Sequence, residues 1–178
     1  MKPRVLLGVA ILGVCVCLPG NAKPAGKKPK VGDWAEYKRT NSIWKESTTI
    51  KQTVTAVGEF NALVKEEIIG GEKKTPPTEV AVPFEELGHM LRLFVKGKGK
   101  SAFEKSDSGE AELEIMGKKV TCQWTLYKHD VTPGGTAFEQ TAKIWVCRQF
   151  PMGGVVRMEL DFIKGKMTQE LVNSGQGK

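Results

Sequence analysis

The residues on which most catalytic chemistry depends are scarce in this chain. Two histidines, His89 and His129, occur in 178 residues, and neither sits in a zinc-protease signature. A Gly-x-Ser-x-Gly elbow, a Gly-x-x-x-x-Gly-Lys-Ser phosphate loop and a Cys-x-x-Cys pair are all absent. Aromatics make up 7% of the chain and cysteine occurs four times, which excludes a disulfide-dense mini-protein. With 40% apolar and 26% charged residues the chain is neither disordered nor collagen-like, and its length suits one packed domain.

Residues 1–22 read as a secretory signal peptide. Lys2 and Arg4 precede an uncharged apolar run of 14 residues, Val5–Leu18, and Gly20-Asn21-Ala22 supplies small residues for cleavage after Ala22. The run is shorter than the roughly 20 residues of a membrane span, although a retained N-terminal anchor is the competing reading. Val14 and Val16 precede Cys15 and Cys17, where lipidation requires a small residue. Cleavage leaves 156 residues with Cys122, Cys147 and a net charge of +5, from 25 basic and 20 acidic residues. No later stretch reaches membrane length, so a soluble periplasmic or extracellular protein is expected. Lys23–Lys30, with four lysines and two prolines, reads as a solvated basic leader that an anionic envelope surface would attract.

From Val31 onward the texture is that of strands. Trp34–Thr40, Thr48–Val57, Phe60–Ile69, Thr78–Val82, Ala111–Ile115, Val120–Lys128, Thr141–Cys147, Val155–Ile163 and Met167–Val172 are β-prone, and Gly and Pro punctuate them. In the second, Thr48, Ile50, Gln52, Val54 and Ala56 share one face. Pro83–Val95 is predicted as a helix. Pro83 suits a first turn, and Phe84, Leu87, Leu91 and Phe94 form an apolar stripe at spacings of three and four. Lys96–Gly109 reads as the longest loop. The expected fold is therefore mainly β: one curved antiparallel sheet or half-barrel of about nine strands, packed on one α-helix, spanning residues 31–178.

One constellation carries geometry. A hairpin centred between Gly134 and Gly135 pairs residues whose numbers sum to 269, which sets Cys122 opposite Cys147 and Trp124 opposite Trp145 on one face. Opposed cysteines in an oxidising compartment are expected to form a disulfide. A metal site from Cys122, Cys147 and His129 lacks paired spacing. Glu86 and His89 match half of a di-metal helix pattern, and the other half is missing. The acidic groups Glu66-Glu67, Glu110/Glu112/Glu114 and Glu159/Asp161 cannot be assigned acid–base roles from spacing alone. Lys96, Lys98 and Lys100 sit between glycines in a candidate anion-binding loop. No metal or cofactor is implied, and export argues against a nucleic-acid partner.

The segment Lys143–Arg157 (KIWVCRQFPMGGVVR) and the opening Val31-Gly32-Asp33-Trp34-Ala35-Glu36-Tyr37 resemble exported β-rich envelope proteins of Gram-negative bacteria. The plan of one helix laid into a curling sheet is similar to the lipoprotein-carrier family (LolA/LolB-like). That resemblance implies a cavity between sheet and helix that holds acyl chains, and hence a lipid or lipoprotein partner. On this reading Phe84, Leu87, Leu91 and Phe94 line the cavity, with Trp124 and Trp145 as wall residues. The other reading is a non-catalytic structural or interaction domain of the envelope with a filled core.

Overall fold

A computed structural model of the chain describes residues 28–43, 45–71, 75–88, 104–131, 138–162 and 164–177. The signal-peptide segment, most of the leader, Leu91, Phe94, Lys96, Lys98 and Lys100 lie outside the described residues. Nine strands are present: β1 Trp34–Asn41, β2 Glu46–Val57, β3 Asn61–Gly70, β4 Thr78–Pro83, β5 Glu104–Ile115, β6 Lys118–Val131, β7 Phe138–Val146, β8 Val155–Phe162 and β9 Gly165–Gly175. They make one antiparallel sheet in the order β4-β3-β2-β1-β9-β8-β7-β6-β5. Each half is a meander of neighbours in sequence, and the pairing of β1 with β9 joins the halves.

The sheet curls strongly, as the path after β4 shows. A Cβ on Gly88 would lie 3.0 Å from Val155 Cβ at the start of β8. Five inter-strand spacings separate β4 from β8, or about 24 Å on a flat sheet. The five residues from Pro83 to Gly88 reach at most about 17 Å. The edge carrying β4 therefore bends round toward β8. We call the face that receives this segment the inner face.

Alternation explains which residues line it. In β2, Ile50, Gln52 and Val54 are buried, and the expected fifth member, Ala56, is exposed because the β2–β3 register shifts between Val54 and Ala56. Tyr37 of β1, Val64 of β3, Gln169 of β9 and Met158 of β8 are each no more than 1% exposed. Ile144 and Ala142 of β7 continue the row opposite Met158 and Leu160. Opposite this face runs a charged one: Lys51–Glu36 at 3.5 Å, Lys65–Glu67 at 2.9 Å and Lys128–Glu139 at 2.9 Å, all pairs in which at least one partner is a third or more exposed. Such pairs contribute little stability and keep that face wet.

Two sequence expectations are corrected here. Pro83–Val95 is not a helix over its described part. Pro83 closes β4 opposite Asn61, and Phe84–Glu86 make a single 3-10 turn. Leu87 is then extended, and Gly88 takes φ +76°. No α-helix occurs among the described residues. The Phe84–Leu87 spacing of three fits a 3-10 turn as well as a helix, and a left-handed glycine stops either. Likewise, 104–109 belong to β5 and not to a loop, with Glu104 opposite Lys128 and Gly109 opposite Trp124.

Candidate ligand-binding face

Leu87, one of the residues read as lining a cavity, is core. It is 1% exposed and packs where Met152, also 1% exposed, turns into β8. The contact is close enough to be backbone on backbone. A Cβ on Gly88 would come within 2.8 Å of both the Met152 carbonyl oxygen and Tyr37 Oη. Gln169 Nε2 donates to the Gly88 carbonyl at 2.8 Å, and Arg39 Nη2 donates to Gln169 Oε1 at 3.0 Å. Tyr37 Oη donates to the Val155 carbonyl at 3.3 Å, and burial pushes its phenol above the ordinary tyrosine range. The segment after β4 thus fills this end of the curl, with half-buried Phe84 packed against it.

Farther from that plug, the inner face is mixed. Val80 of the edge strand sits opposite Val64 and is 36% exposed, and Ile68 opposite Ile50 is half-buried. Between them, Gln52 pairs with Glu66 across the ladder and donates from Nε2 to its carboxylate at 2.8 Å. Gln52 is 3% exposed, and its Oε1 is buried with no hydrogen-bond partner among the described residues. A buried amide oxygen left unpaired costs about 1–3 kcal/mol. An apolar wall interrupted by an unsatisfied acceptor and a carboxylate suits an amphipathic molecule that donates hydrogen bonds. The sequence carried a signal for this pair, a glutamine at an apolar position of an alternating strand, but no site was predicted from it.

The tryptophan pair has the predicted register. Trp124 faces Trp145 across β6 and β7. Lys143 Nζ stands 4.0 Å from the Trp124 ring centre and 5.0 Å from that of Trp145, and Arg157 covers Trp145 at 5.4 Å. Gly109 leaves room for Trp124, whose ring would meet a Cβ there at 2.8 Å. These rings are roofed by cations, and Trp145, 7% exposed, belongs to the same buried cluster as Tyr37, Leu87 and Met152, with Trp124 packed against it. Arg157 continues to Glu159 at 2.6 Å and Glu170 at 3.6 Å, and Lys166 reaches Glu159 at 2.6 Å. Partial burial raises the Glu159 pKa, but the hydrogen bonds from Lys166 and Arg157 outweigh it and hold the carboxyl below the usual range. A depressed folded-state pKa stabilises above the unfolded carboxylate pKa, and this is lost as pH falls through the folded value. Glu159→Gln is accordingly expected to lower stability at neutral pH and to flatten the acid limb of the stability–pH curve, so that variant and parent converge as pH falls. Chemical denaturation from pH 3 to pH 8 measures this (a range set by the carboxylate pKa, about 4). An unchanged acid limb contradicts the role given to Glu159.

The expected disulfide is also corrected. Cys122 and Cys147 are buried free thiols, adjacent but unbonded. The ladder's last rung at this end is Gln123–Val146, and Cys147 leaves β7 so that its N–H donates to the Gly154 carbonyl at 2.7 Å. Its Sγ donates to the Thr121 carbonyl at 3.6 Å, while Cys122 Sγ lies 3.9 Å from the Val120 carbonyl. Burial, helped by Cys147, pushes the Cys122 thiol up to about 12. Cys122 is therefore expected to resist iodoacetamide at neutral pH until the protein unfolds, as alkylation followed by mass measurement would show. Rapid native-state labelling of Cys122 contradicts this.

Two polar clefts open at the strand ends away from the plug. One, about 590 Å³, is lined by Glu104, Lys105, Lys128, His129, Asp130 and Glu139. The other, about 330 Å³, lies among Asn41, Ser42, Lys45, Glu46, Lys166 and Thr168. Among the described residues no group of three or more His, Cys, Asp or Glu side chains could hold a metal ion, and no helix is long and apolar enough to cross a membrane.

No protein-family model and no curated protein matches the sequence. Among solved structures, the chain is similar to a Bacteroides fragilis protein assigned as exported with a YmcC-like fold. The TM-score is 0.52 at 8% identity, over 83% of this chain and 97% of that one. A Parabacteroides distasonis protein assigned as a lipoprotein gives 0.47 at 8% identity, over 85% and 98%. LprF from Mycobacterium bovis gives 0.41 at 14%, over 83% and 87%. At these identities the likeness is one of fold alone, and only the score above 0.5 carries weight. The chain thus shares the fold of an exported bacterial β-protein, and the resemblance drawn from Val31–Tyr37 and Lys143–Arg157 holds at that level.

Proposed function

We propose that this is a non-catalytic exported β-domain that holds an apolar or amphipathic, lipid- or lipoprotein-like ligand against the inner face of its sheet. The observation that supports it is the buried Gln52–Glu66 pair with an unpaired amide oxygen, set among Val64, Ile50, Ile68 and the partly exposed Val80. Apolar lining with a few convergent polar groups is the usual character of a small-molecule site. The helix expected to form the opposite wall is no part of this reading.

The test is displacement of an apolar naphthylamine dye by a lysophospholipid, read by fluorescence. Val80→Asp and Gln52→Leu are each expected to weaken binding several-fold, with the melting transition little changed by the first. Equal affinity in parent and both variants would overturn the assignment of this face. A second reading, an envelope interaction domain without a small ligand, is favoured by the tight filling at Leu87, Met152 and Tyr37. Complete absence of dye binding would support it.

A further inference from the structure

The two ends of the curled sheet differ in a way that the ligand reading does not use. At the plugged end, β1, β3, β6 and β8 begin and β2, β4, β5, β7 and β9 finish. The turns there carry Phe60, 72% exposed, Val31, 55% exposed, and Met116, 42% exposed. Among the described residues Phe60 is the most exposed of the large apolar side chains, and its carbonyl accepts from the Phe84 N–H at 3.1 Å, which ties that turn to the plug. Lys28 Nζ stands 5.8 Å from the Phe84 ring centre, so the basic leader meets the fold at this same end.

Charge separates the ends as well. Exposed basic side chains at the plugged end are Lys28, Lys30, Lys118, Lys119 and Arg148, against exposed Glu59, Glu86 and Glu114. Among the described residues of the far end the balance reverses: Glu46, Glu104, Asp130, Glu139 and Asp161 are exposed, against Lys45, Lys105 and Lys164. The far end has exposed apolar residues too, Ile43 and Ile69, and Ile43 lies against Gly165.

From this placement we propose that the plugged end is a membrane-docking rim, with Phe60, Val31 and Met116 entering the interface of an anionic lipid bilayer and the surrounding lysines and Arg148 facing its headgroups. Isolated exposed apolar residues need no explanation. Three on the turns of one end, where exposed basic residues outnumber exposed acidic ones among the described residues, match the physics of interfacial attachment. Apolar tips gain by burial at the headgroup boundary, and each nearby basic residue adds about 1 kcal/mol at an anionic surface. Two weak contributions of this kind give reversible binding. The proposal stands apart from the ligand reading, because it needs no cavity.

Vesicle flotation of the exported, purified protein tests it. Vesicles of equal parts phosphatidylcholine and phosphatidylglycerol are expected to bind at least about tenfold more protein than phosphatidylcholine alone, and raised salt is expected to reduce the difference. Phe60→Ser combined with Met116→Asn is expected to lower binding to the anionic vesicles by about tenfold. Asparagine tolerates the left-handed backbone of Met116, at φ 50°, so the melting transition should stay with the parent. Ile43→Ser at the far end serves as the control and should bind like the parent. No binding to anionic vesicles, full binding by the double variant, or an equal loss in Ile43→Ser would each overturn the proposal.

Discussion

Gly88→Ala is expected to lower stability by about 2–5 kcal/mol, a sum of left-handed strain and overpacking. Gly88 has φ +76°, a conformation that costs an L side chain about 1–2 kcal/mol. The new methyl would meet the Met152 carbonyl oxygen and Tyr37 Oη, each at 2.8 Å, and Val155 Cβ at 3.0 Å. None of these is the free end of a flexible chain. Met152 is itself held at φ 56° and Gly153 at φ 72°, so the opposing backbone has little room to retreat. Denaturant unfolding of the variant measures the loss. A change below about 0.5 kcal/mol, ordinary for a surface site, would mean that the segment after β4 is not docked as described.

Leu87→Ala is expected to cost about 2–5 kcal/mol through lost burial and the cavity left behind. The side chain is 1% exposed and belongs to the same core as Tyr37, Val82 and Met152. The spread depends on how far Met152 can relax into the space. The same variant separates two roles for Leu87. If the residue is core, stability falls and lysophospholipid affinity changes little at temperatures where the variant remains folded. If the residue lined a ligand cavity, affinity would fall while stability held, and the plug described here would be wrong.

The strands were legible because alternation and turn residues dominate them. Trp124 and Trp145 were paired correctly from their distances to one turn centre, since an antiparallel ladder fixes the sum of paired residue numbers. The first half of β5 was not legible: Lys105-Ser106-Asp107-Ser108-Gly109 has no apolar alternation, and an edge strand exposed on both faces requires none. Pro83–Leu87 misled for a different reason. Its spacing of three fits a helix, a 3-10 turn or a docked extended segment, and only tertiary contact with Met152 and Gln169 decides between them. The cysteine pair shows how far register reasoning reaches. It brought Cys122 and Cys147 together, but could not foresee that Cys147 would leave the ladder to bond Gly154. At the inner face, Gln52 was placed on the correct side of β2, whereas its partner Glu66 depends on the β2–β3 register, which shifts on either side of the pair.

The central claim, that the inner face holds a lipid-like molecule, is tested most directly by native and denaturing mass measurement on protein exported by and purified from its own host. The expected result is a native mass above the denatured mass by one lipid-sized increment, diminished in Gln52→Leu. A native mass equal to the denatured mass, unchanged after incubation with envelope lipids, contradicts it and leaves a filled interaction domain in its place.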